Sequence, residues 1–323
     1  MDPTTSSHNT ESIPLNGTGH SQCSPILTPS VLVLIIALVG LAGNTIVLWL
    51  LGFRMSRKAI SVYVLNLALA DSFFLCCHFI DSLLWIIDFY GIYAHKLSTE
   101  ILGNTAIIPY IAGLSILSAI STERCLSVLW PIWYHCHRPK NMSVIICALI
   151  WVLSFLMGIL DWLFSAFLGE THHHLWKNVN FIVTAFLIFL SVLLSGSSLT
   201  LLVRILCGSR QKPLSRLYIT ISLTVMVYLI CGLPLGLYLF LLYWFKIDSH
   251  HPFCHISQVT VALSCVNSSA NPVIYFLVGS FRQRKKHQSL KMVLKRALAD
   301  NAEEDEYTDS HLQETTEMSQ SRC

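Results

Sequence analysis

The stretch PSVLVLIIALVGLAGNTIVLWLLGF, at residues 29–53, contains no charged residue. The hydrocarbon core of a bilayer is about 30 Å thick and is crossed by about 20 residues of helix, so this stretch is long enough to span a membrane. Six further apolar stretches follow, at residues 60–86, 100–130, 143–168, 178–206, 214–245 and 255–279. Since they lack the strict two-residue alternation of a membrane β-barrel, the sequence predicts an all-α membrane protein with a bundle of seven transmembrane helices.

Composition and charge support a membrane protein and indicate its orientation. Hydrophobic residues make up 54% of the 323 residues, charged residues make up 12%, and the mean hydropathy is +0.59, which is more apolar than a soluble domain. Of the 21 Lys and Arg residues, all but Lys96, Lys177 and Lys246 fall on one side of the predicted bundle, and positive loops mark the cytoplasmic side. We therefore expect a multi-pass plasma-membrane protein with an extracellular amino terminus.

Segments of different character flank the predicted membrane domain, residues 29–279. Residues 1–28 are polar and predict an extracellular tail without a cleavable signal peptide, in which Asn16 begins an N-glycosylation pattern. Residues 280–298 mix basic and apolar side chains, which predicts a short amphipathic cytoplasmic helix on the inner leaflet. Residues 299–323 are acidic and predict a disordered cytoplasmic tail, either simply solvated or phosphorylated to recruit arrestin.

Cysteine and histidine on the predicted outer side each allow two interpretations. Cys23 and Cys254 either form a disulfide or remain free thiols, because sequence does not give the distance between them. The histidines at residues 172–174, 250, 251 and 255 suggest either a metal cluster or a pH-sensitive surface, and we favour the second. No nucleotide, flavin or metal-binding motif is present, so we expect no cofactor, no metal site and no enzymatic activity.

Polar side chains inside the predicted spans need a partner or a purpose, because a charged group near the bilayer centre costs roughly 2.5–3.5 kcal/mol on insertion scales. These residues are Asn44, Asn66, Asp71, Arg124, Asn267, Ser268 and Asn271. They either hydrogen-bond one another between helices or, in the case of Asp71, also provide a sodium site or a protonation switch.

Two further features concern the predicted cytoplasmic half of the bundle. Arg124, beside Glu123 at the end of the third span, either marks the membrane interface or switches between its neighbouring carboxylate and a partner protein. Pro234 and Pro272 each remove one backbone hydrogen bond, which predicts kinks in the sixth and seventh helices. Gly232 adds flexibility beside the first of these kinks.

The sequence resembles the rhodopsin-like G-protein-coupled receptors in motif order and over its whole length. The motifs are Gly43-Asn44, LALAD at residues 67–71, Glu123-Arg124-Cys125, Trp151 and Asn271-Pro272-Val273-Ile274-Tyr275. More narrowly, STERCLSVLWPIWY at residues 121–134 and RILCGS at residues 204–209 resemble the Mas-related receptors of sensory neurons. MDPT at residues 1–4 and NSSANP at residues 267–272 indicate the C/X-type branch of that family.

The sequence also departs from the general pattern of these receptors. Cys125 stands where most relatives carry Tyr, and Gly232 stands where they carry the Trp that senses ligand. No Cys lies at the outer end of the third span, and Ser165 and Trp176 stand where several Mas-related receptors have a Cys pair. We therefore expect a shallow and open extracellular vestibule.

The resemblance implies a receptor for basic peptides and cationic small molecules, bound by acidic residues on the fourth and fifth spans and an aromatic residue on the third. The corresponding residues here are Asp161, Asn180 and Tyr110, with Asp81, Tyr238 and Trp244 as further lining residues. Because Asn180 replaces an Asp of relatives, binding of dibasic ligands should be weaker or differently distributed. The residues alone leave Asp161 either facing a water-filled cavity, which we favour, or solvated at the membrane interface.

The resemblance also implies heterotrimeric G proteins as partners, mainly of the Gq class with Gi as an alternative, together with receptor kinases and arrestin, and a role in nociception or itch. Activation would be a population shift in which the sixth helix swings at Pro234 and frees Arg124. The rival interpretation is a transporter or channel, which would predict inverted repeats or a ring of charged pore residues. We find neither in the sequence.

Overall fold

The computed structural model describes residues 27–55, 59–90, 95–130, 132, 134, 136, 139, 141–167, 173–207, 216–245, 251–280 and 290–298. Seven long helices in this part of the chain are apolar enough to cross a membrane. They are α1 (Leu27–Trp49), α2 (Ala59–Phe89), α3 (His95–Leu129), α4 (Met142–Phe167), α5 (His173–Cys207), α6 (Arg216–Val227, continued through Tyr228–Gly232 and Leu233–Phe245) and α7 (His251–Ser280). A short helix, α8, spans Leu290–Ala297.

The seven long helices form a closed bundle with α3 at its centre. α1 packs against α2 and α7, α2 packs against α3 and α4, and the ring continues through contacts of α4 with α5, α5 with α6, and α6 with α7. α3 contacts α2, α4, α5 and α6. Large apolar side chains also cover the outside of the bundle, as Phe53 does with 85% of its surface exposed, which is the arrangement that a lipid environment requires. The predicted seven-helix bundle is confirmed.

Glycines set the close contacts between these helices. A Cβ added to Gly40 of α1 would lie 2.1 Å from Ser269 Oγ of α7, and one added to Gly158 of α4 would lie 2.2 Å from Ile108 Cγ1 of α3. Without side chains at these positions, the backbones approach closely, as is common in membrane bundles.

Helix α6 is irregular next to Pro234. A π-helical turn, Tyr228–Gly232, directly precedes the segment that begins at Leu233. Pro272, by contrast, lies inside α7 without ending that helix. The irregularity predicted near Pro234 therefore takes the form of a π-helical turn on its amino-terminal side.

One end of the bundle is defined by a small cavity of about 20 Å³. Its lining includes Ile60 at the start of α2, Ile120 near the end of α3, Thr220 near the start of α6 and Tyr275 near the end of α7. We call this the arginine end, because Arg124 lies four residues beyond Ile120. The predicted segment 280–298 contributes Ser280 to α7 and contains α8, while residues 281–289 lie outside the described part.

Candidate functional site

A buried polar cluster joins α1, α2 and α7 in the middle of the bundle. The side-chain amide of Asn271 donates to Asp71 Oδ2 at 2.7 Å, and Asp71 is almost fully buried. The side-chain amide of Asn44 donates to the Ser268 carbonyl oxygen at 3.1 Å and to the Gly40 carbonyl oxygen at 3.0 Å. A buried polar group without a hydrogen bond destabilises the folded protein. Packings of the three helices that break this network are therefore disfavoured.

Two side-chain oxygens of the same cluster, Oδ1 of Asn44 and Oδ1 of Asn271, have no hydrogen-bond partner in the structure. Oδ1 of Asn267 also has none, but this side chain lies beside Gly232 of α6. Amide and carboxylate oxygens are the ligands that hard cations take in proteins, and they also accept hydrogen bonds from buried water. This chemistry suits a small cation or ordered water beside Asp71.

A second hydrogen-bonded group connects α3, α5 and α6. The Tyr110 hydroxyl donates to the Gly232 carbonyl oxygen at 3.0 Å. A Cβ on Gly232 would lie 2.5 Å from Cδ2 of Tyr228, so the Tyr228 ring occupies the space that a side chain at residue 232 would need. The hydroxyls of Tyr228 and Ser191 share a hydrogen bond of 2.9 Å. Tyr228, the first residue of the π-helical turn, therefore places its ring where a side chain at residue 232 would lie.

Tyr110 also lines the larger of the described cavities. This cavity has a volume of about 480 Å³, and its walls come from α3, α5 and α6. The lining is mainly apolar, and it includes Val192 and Leu199, which are exposed on the outer surface of the bundle. Asp161 and Asp81 are not among its described lining residues.

Asp161 is buried, with 4% of its surface exposed. It lies three residues beyond Gly158, which contacts Ile108 of α3, and residues three apart share a helix face. Trp162 and Leu163, the next residues, are exposed on the outer surface. The Asp161 carboxylate is therefore on the face of α4 that packs against α3.

The other predicted ligand-site residues lie on three helices. Asp81 is half-buried in α2, and Tyr238 is half-buried in α6, where it packs against the core. Asn180 and Trp244 belong to α5 and α6, but their side chains lie outside the described part of the structure. The predicted ligand-site residues whose side chains are described thus all lie in helices that contribute to the bundle interior: Asp81, Tyr110, Asp161 and Tyr238.

The arginine end holds two buried charged residues. Glu123 and Arg124 are both at least nine-tenths buried. The hydroxyl of Tyr134, from the segment that follows α3, donates to Glu123 Oε1. This contact couples the carboxylate next to Arg124 to the helical segment between α3 and α4, so a movement of that segment changes the surroundings of both residues.

Comparison with known proteins places the chain in a receptor family. Residues 43–275 match the family described as 7 transmembrane receptor (rhodopsin family). The chain is 83% identical over 322 residues to Mas-related G-protein coupled receptor member X1 of Mus musculus, with 100% of both chains covered. It is 53% identical over 324 residues to the receptor of that name from Homo sapiens, covering 100% of this chain and 99% of the human one. The chain belongs to the Mas-related G-protein-coupled receptors.

Membership in this family confirms the resemblance inferred from the sequence. A Mas-related receptor is a multi-pass membrane protein that binds ligands and couples to G proteins, and its family is one of receptors and not of enzymes. The same match overturns the alternative of a transporter or channel.

Sequence reasoning missed three residues of this Mas-related receptor: Tyr228 and Ser191 in the group that connects α3, α5 and α6, and Tyr134 at the arginine end. Tyr228 lies four residues before Gly232, a spacing that places it on the same helix face, but nothing local shows that its ring takes the vacant space. Ser191 is one of many serines in α5, and Tyr134 lies in a quoted family motif without a role assigned to it. Their importance depends on contacts between helices.

Several predicted sites lie outside the described residues or side chains. Asn16 and Cys23 precede residue 27, and the side chain of Cys254 in α7 is not described. The same holds for the predicted histidine cluster. The glycosylation site, the disulfide and the pH-sensitive surface therefore stay predictions.

Proposed function

We propose that this Mas-related receptor is activated by basic peptides that contain arginine and end in an amide, and by cationic small molecules. The observation that carries the proposal is the burial of the Asp161 carboxylate on the face of α4 turned to α3. A carboxylate inside a membrane bundle attracts cations strongly, because its surroundings have a low dielectric constant. A guanidinium or ammonium group of the ligand pairs with it, with a bidentate geometry in the case of arginine.

The rest of the ligand site draws on four helices. Asp81 adds a second acidic group from α2, and Tyr110 and Tyr238 add aromatic surface that attracts a cation. Asn180 and Trp244 complete the proposed set. Because Asn180 is neutral where relatives carry Asp, we expect dibasic ligands to bind more weakly, or with their contacts differently distributed.

The signal passes to the G protein through α3 and α6. The hydrogen bond from Tyr110 to the Gly232 carbonyl oxygen supports a route in which ligand contact on α3 shifts the π-helical turn and the adjacent Pro234. The part of α6 that precedes Pro234 then swings away from the bundle. Arg124, next to Glu123, becomes free to contact the G protein, and the segment of α7 that contains Asn271, Pro272 and Tyr275 repacks. A ligand achieves this only by binding the open packing more tightly than the closed one.

The remaining parts of the proposal concern orientation and partners. The amino terminus is extracellular at the plasma membrane, and Asn16 is glycosylated. The receptor signals through Gq-class proteins, with Gi as a second partner, and receptor kinases and arrestin act on the tail beyond residue 298. In sensory neurons this signalling serves nociception or itch.

The test is a calcium response in transfected cells, with a panel of amidated basic peptides applied with and without a Gq inhibitor. For an active arginine-containing peptide, we predict that Asp161→Asn raises the half-effective concentration at least about tenfold, which corresponds to about 1.4 kcal/mol. The matched control is Asp88→Asn, which removes a carboxylate near the end of α2. An unchanged dose response of Asp161→Asn at normal surface expression would contradict the assignment.

A further inference from the structure

The α8 segment, residues 290–298, has one buried and one exposed face. Leu294 and Ala297 are fully buried, and Val293 and Leu298 are buried nearly as completely. On the other face, Lys291 and Lys295 are exposed, while Leu290, at the start of the helix, is 52% exposed. The spacing of the buried residues is that of an amphipathic helix.

Protein, rather than lipid, covers the apolar face of this segment in the structure. α8 packs against α7 and against the start of α6. The Thr220 hydroxyl of α6 donates to the Ala297 carbonyl oxygen at 3.2 Å. Leu298 lines the small cavity at the arginine end together with residues of α2, α3, α6 and α7. The apolar face that the sequence assigned to the inner leaflet is thus buried inside the bundle.

The depth of Leu298 follows from its neighbours on α3. The cavity that it lines is also lined by Leu117 and Ile120, which precede Arg124 by seven and four residues. At 1.5 Å per residue, they lie roughly 10 and 6 Å further into the bundle than the Arg124 backbone. Leu298 therefore reaches past the level of Arg124, into the space between α3, α6 and α7.

The contact with Thr220 is at the far end of the moving part of α6. Thr220 precedes Pro234 by fourteen residues, which is roughly 21 Å of helix. A restraint at this distance from a pivot opposes rotation more effectively than one close to it. The α8 segment connects this end of α6 to α7, and so it stabilises the closed packing of the arginine end.

We propose that the α8 segment is an internal occupant of the G-protein cleft, which it fills until ligand-driven opening expels it. The proposal rests on the proposed function, because it takes the arginine end to be the surface that receives the G protein. The segment and the G protein cannot occupy the cleft together, so the segment lowers the basal rate of nucleotide exchange.

The first experiment compares Leu294→Asp and Leu298→Asp with Leu290→Asp in the full-length receptor. A carboxylate on the buried face opposes insertion of the segment, whereas one at Leu290 stays exposed on the same helix. We expect agonist-free guanine-nucleotide exchange, normalised to surface receptor, to rise about threefold or more in the first two variants, and to match wild type in the third. Equal basal exchange in all four proteins would overturn the proposal.

A second experiment reads the position of the segment directly. Cysteines replace Thr220 and Ala297, and a short bifunctional thiol reagent is applied to membranes, with each single variant as the control for the native cysteines. We expect cross-linking without agonist, less cross-linking with agonist, and a cross-linked receptor that still binds labelled peptide but does not promote exchange. A segment that lies on the leaflet would give no cross-link above the single variants, which would contradict the proposal.

The two proposals fail in different ways. If wild-type receptor promotes no exchange with any agonist while the Thr220 and Ala297 variant cross-links, the proposed coupling is wrong, and only the position of the segment at the arginine end stands. If wild-type receptor signals normally but the double variant does not cross-link, the coupling stands and the occupancy is wrong.

Discussion

Gly232 shows how a single residue controls the packing of α6. Its missing side chain leaves room for the Tyr228 ring, which is held by the hydroxyl of Ser191. Its carbonyl oxygen also accepts the hydrogen bond from Tyr110. From the sequence, Gly232 is notable only because it replaces the Trp that senses ligand in relatives. In the structure, it lies at the centre of a contact between α3, α5 and α6.

We predict that Gly232→Ala destabilises the receptor, because the new Cβ would lie 2.5 Å from the Tyr228 ring and that ring is held in place. Overpacking of this kind costs about 1–3 kcal/mol. The measurement is the midpoint of thermal unfolding of the purified receptor in detergent, which should fall. Gly196→Ala is the control, since a Cβ there meets nothing within 4 Å and alanine favours helix by up to about 1 kcal/mol. Equal midpoints for Gly232→Ala and wild type would show that Tyr228 is free to move.

Asp71 gives a second prediction at the scale of one residue. If a sodium ion binds beside this carboxylate in the closed packing, linkage requires that sodium weaken agonist binding. Replacing sodium in the buffer by a bulky organic cation should then tighten peptide binding by at least about fivefold. The effect should disappear in Asp71→Asn and persist in Asp88→Asn. Binding that is equally sensitive to sodium in wild type and Asp71→Asn would leave the cluster as a purely structural network.

The pairing of α1 with α7 depends on Gly40. A Cβ at this position would lie 2.1 Å from Ser269 Oγ and 2.7 Å from Leu75 Cδ1, so the helices must separate to admit it. We predict that Gly40→Ala lowers surface expression and unfolding temperature, at a cost of about 1–3 kcal/mol. Gly103→Ala in α3, where a Cβ meets nothing within 4 Å, should behave as wild type. Normal expression and stability of Gly40→Ala would mean that α1 is not tightly packed here.

Sequence predicts the helices of this receptor better than their contacts. The seven spans are recognisable because lipid requires a long apolar stretch for each of them, and α2, for example, is predicted at residues 60–86 and observed at Ala59–Phe89. The π-helical turn at Tyr228–Gly232 has no comparable signal, because it depends on a ring that packs against a neighbouring glycine. The amphipathic pattern of residues 280–298 shows that α8 buries one face, but not whether lipid or protein covers it.

The candidate site is predictable in part for the same reason. An acidic residue late in the fourth span stands out against its apolar surroundings, and Asp161 is recognisable on that basis. Its orientation toward α3 depends on the close contact of Gly158 with Ile108, which is a property of two helices. Tyr134, which donates to Glu123, comes from the helical segment after α3, whose position relative to α3 a single sequence does not specify.

At the scale of the whole molecule, two distant regions share two helices. α3 carries both Tyr110 and Arg124, which are fourteen residues and so roughly 21 Å apart along the helix. α6 carries Gly232, which is hydrogen-bonded to Tyr110, and Thr220, which is hydrogen-bonded to the α8 segment. A change at either region therefore alters the stability of the same packed elements, which is the physical requirement for coupling between sites.

The most direct test of this coupling is guanine-nucleotide exchange by a purified Gq-class heterotrimer, measured with purified receptor in lipid nanodiscs and an amidated arginine-containing peptide. We predict that peptide accelerates exchange by wild-type receptor, and that Asp161→Asn needs at least about tenfold more peptide for the same rate. Peptide binding that saturates the receptor in the same preparation without any increase in exchange would contradict the account.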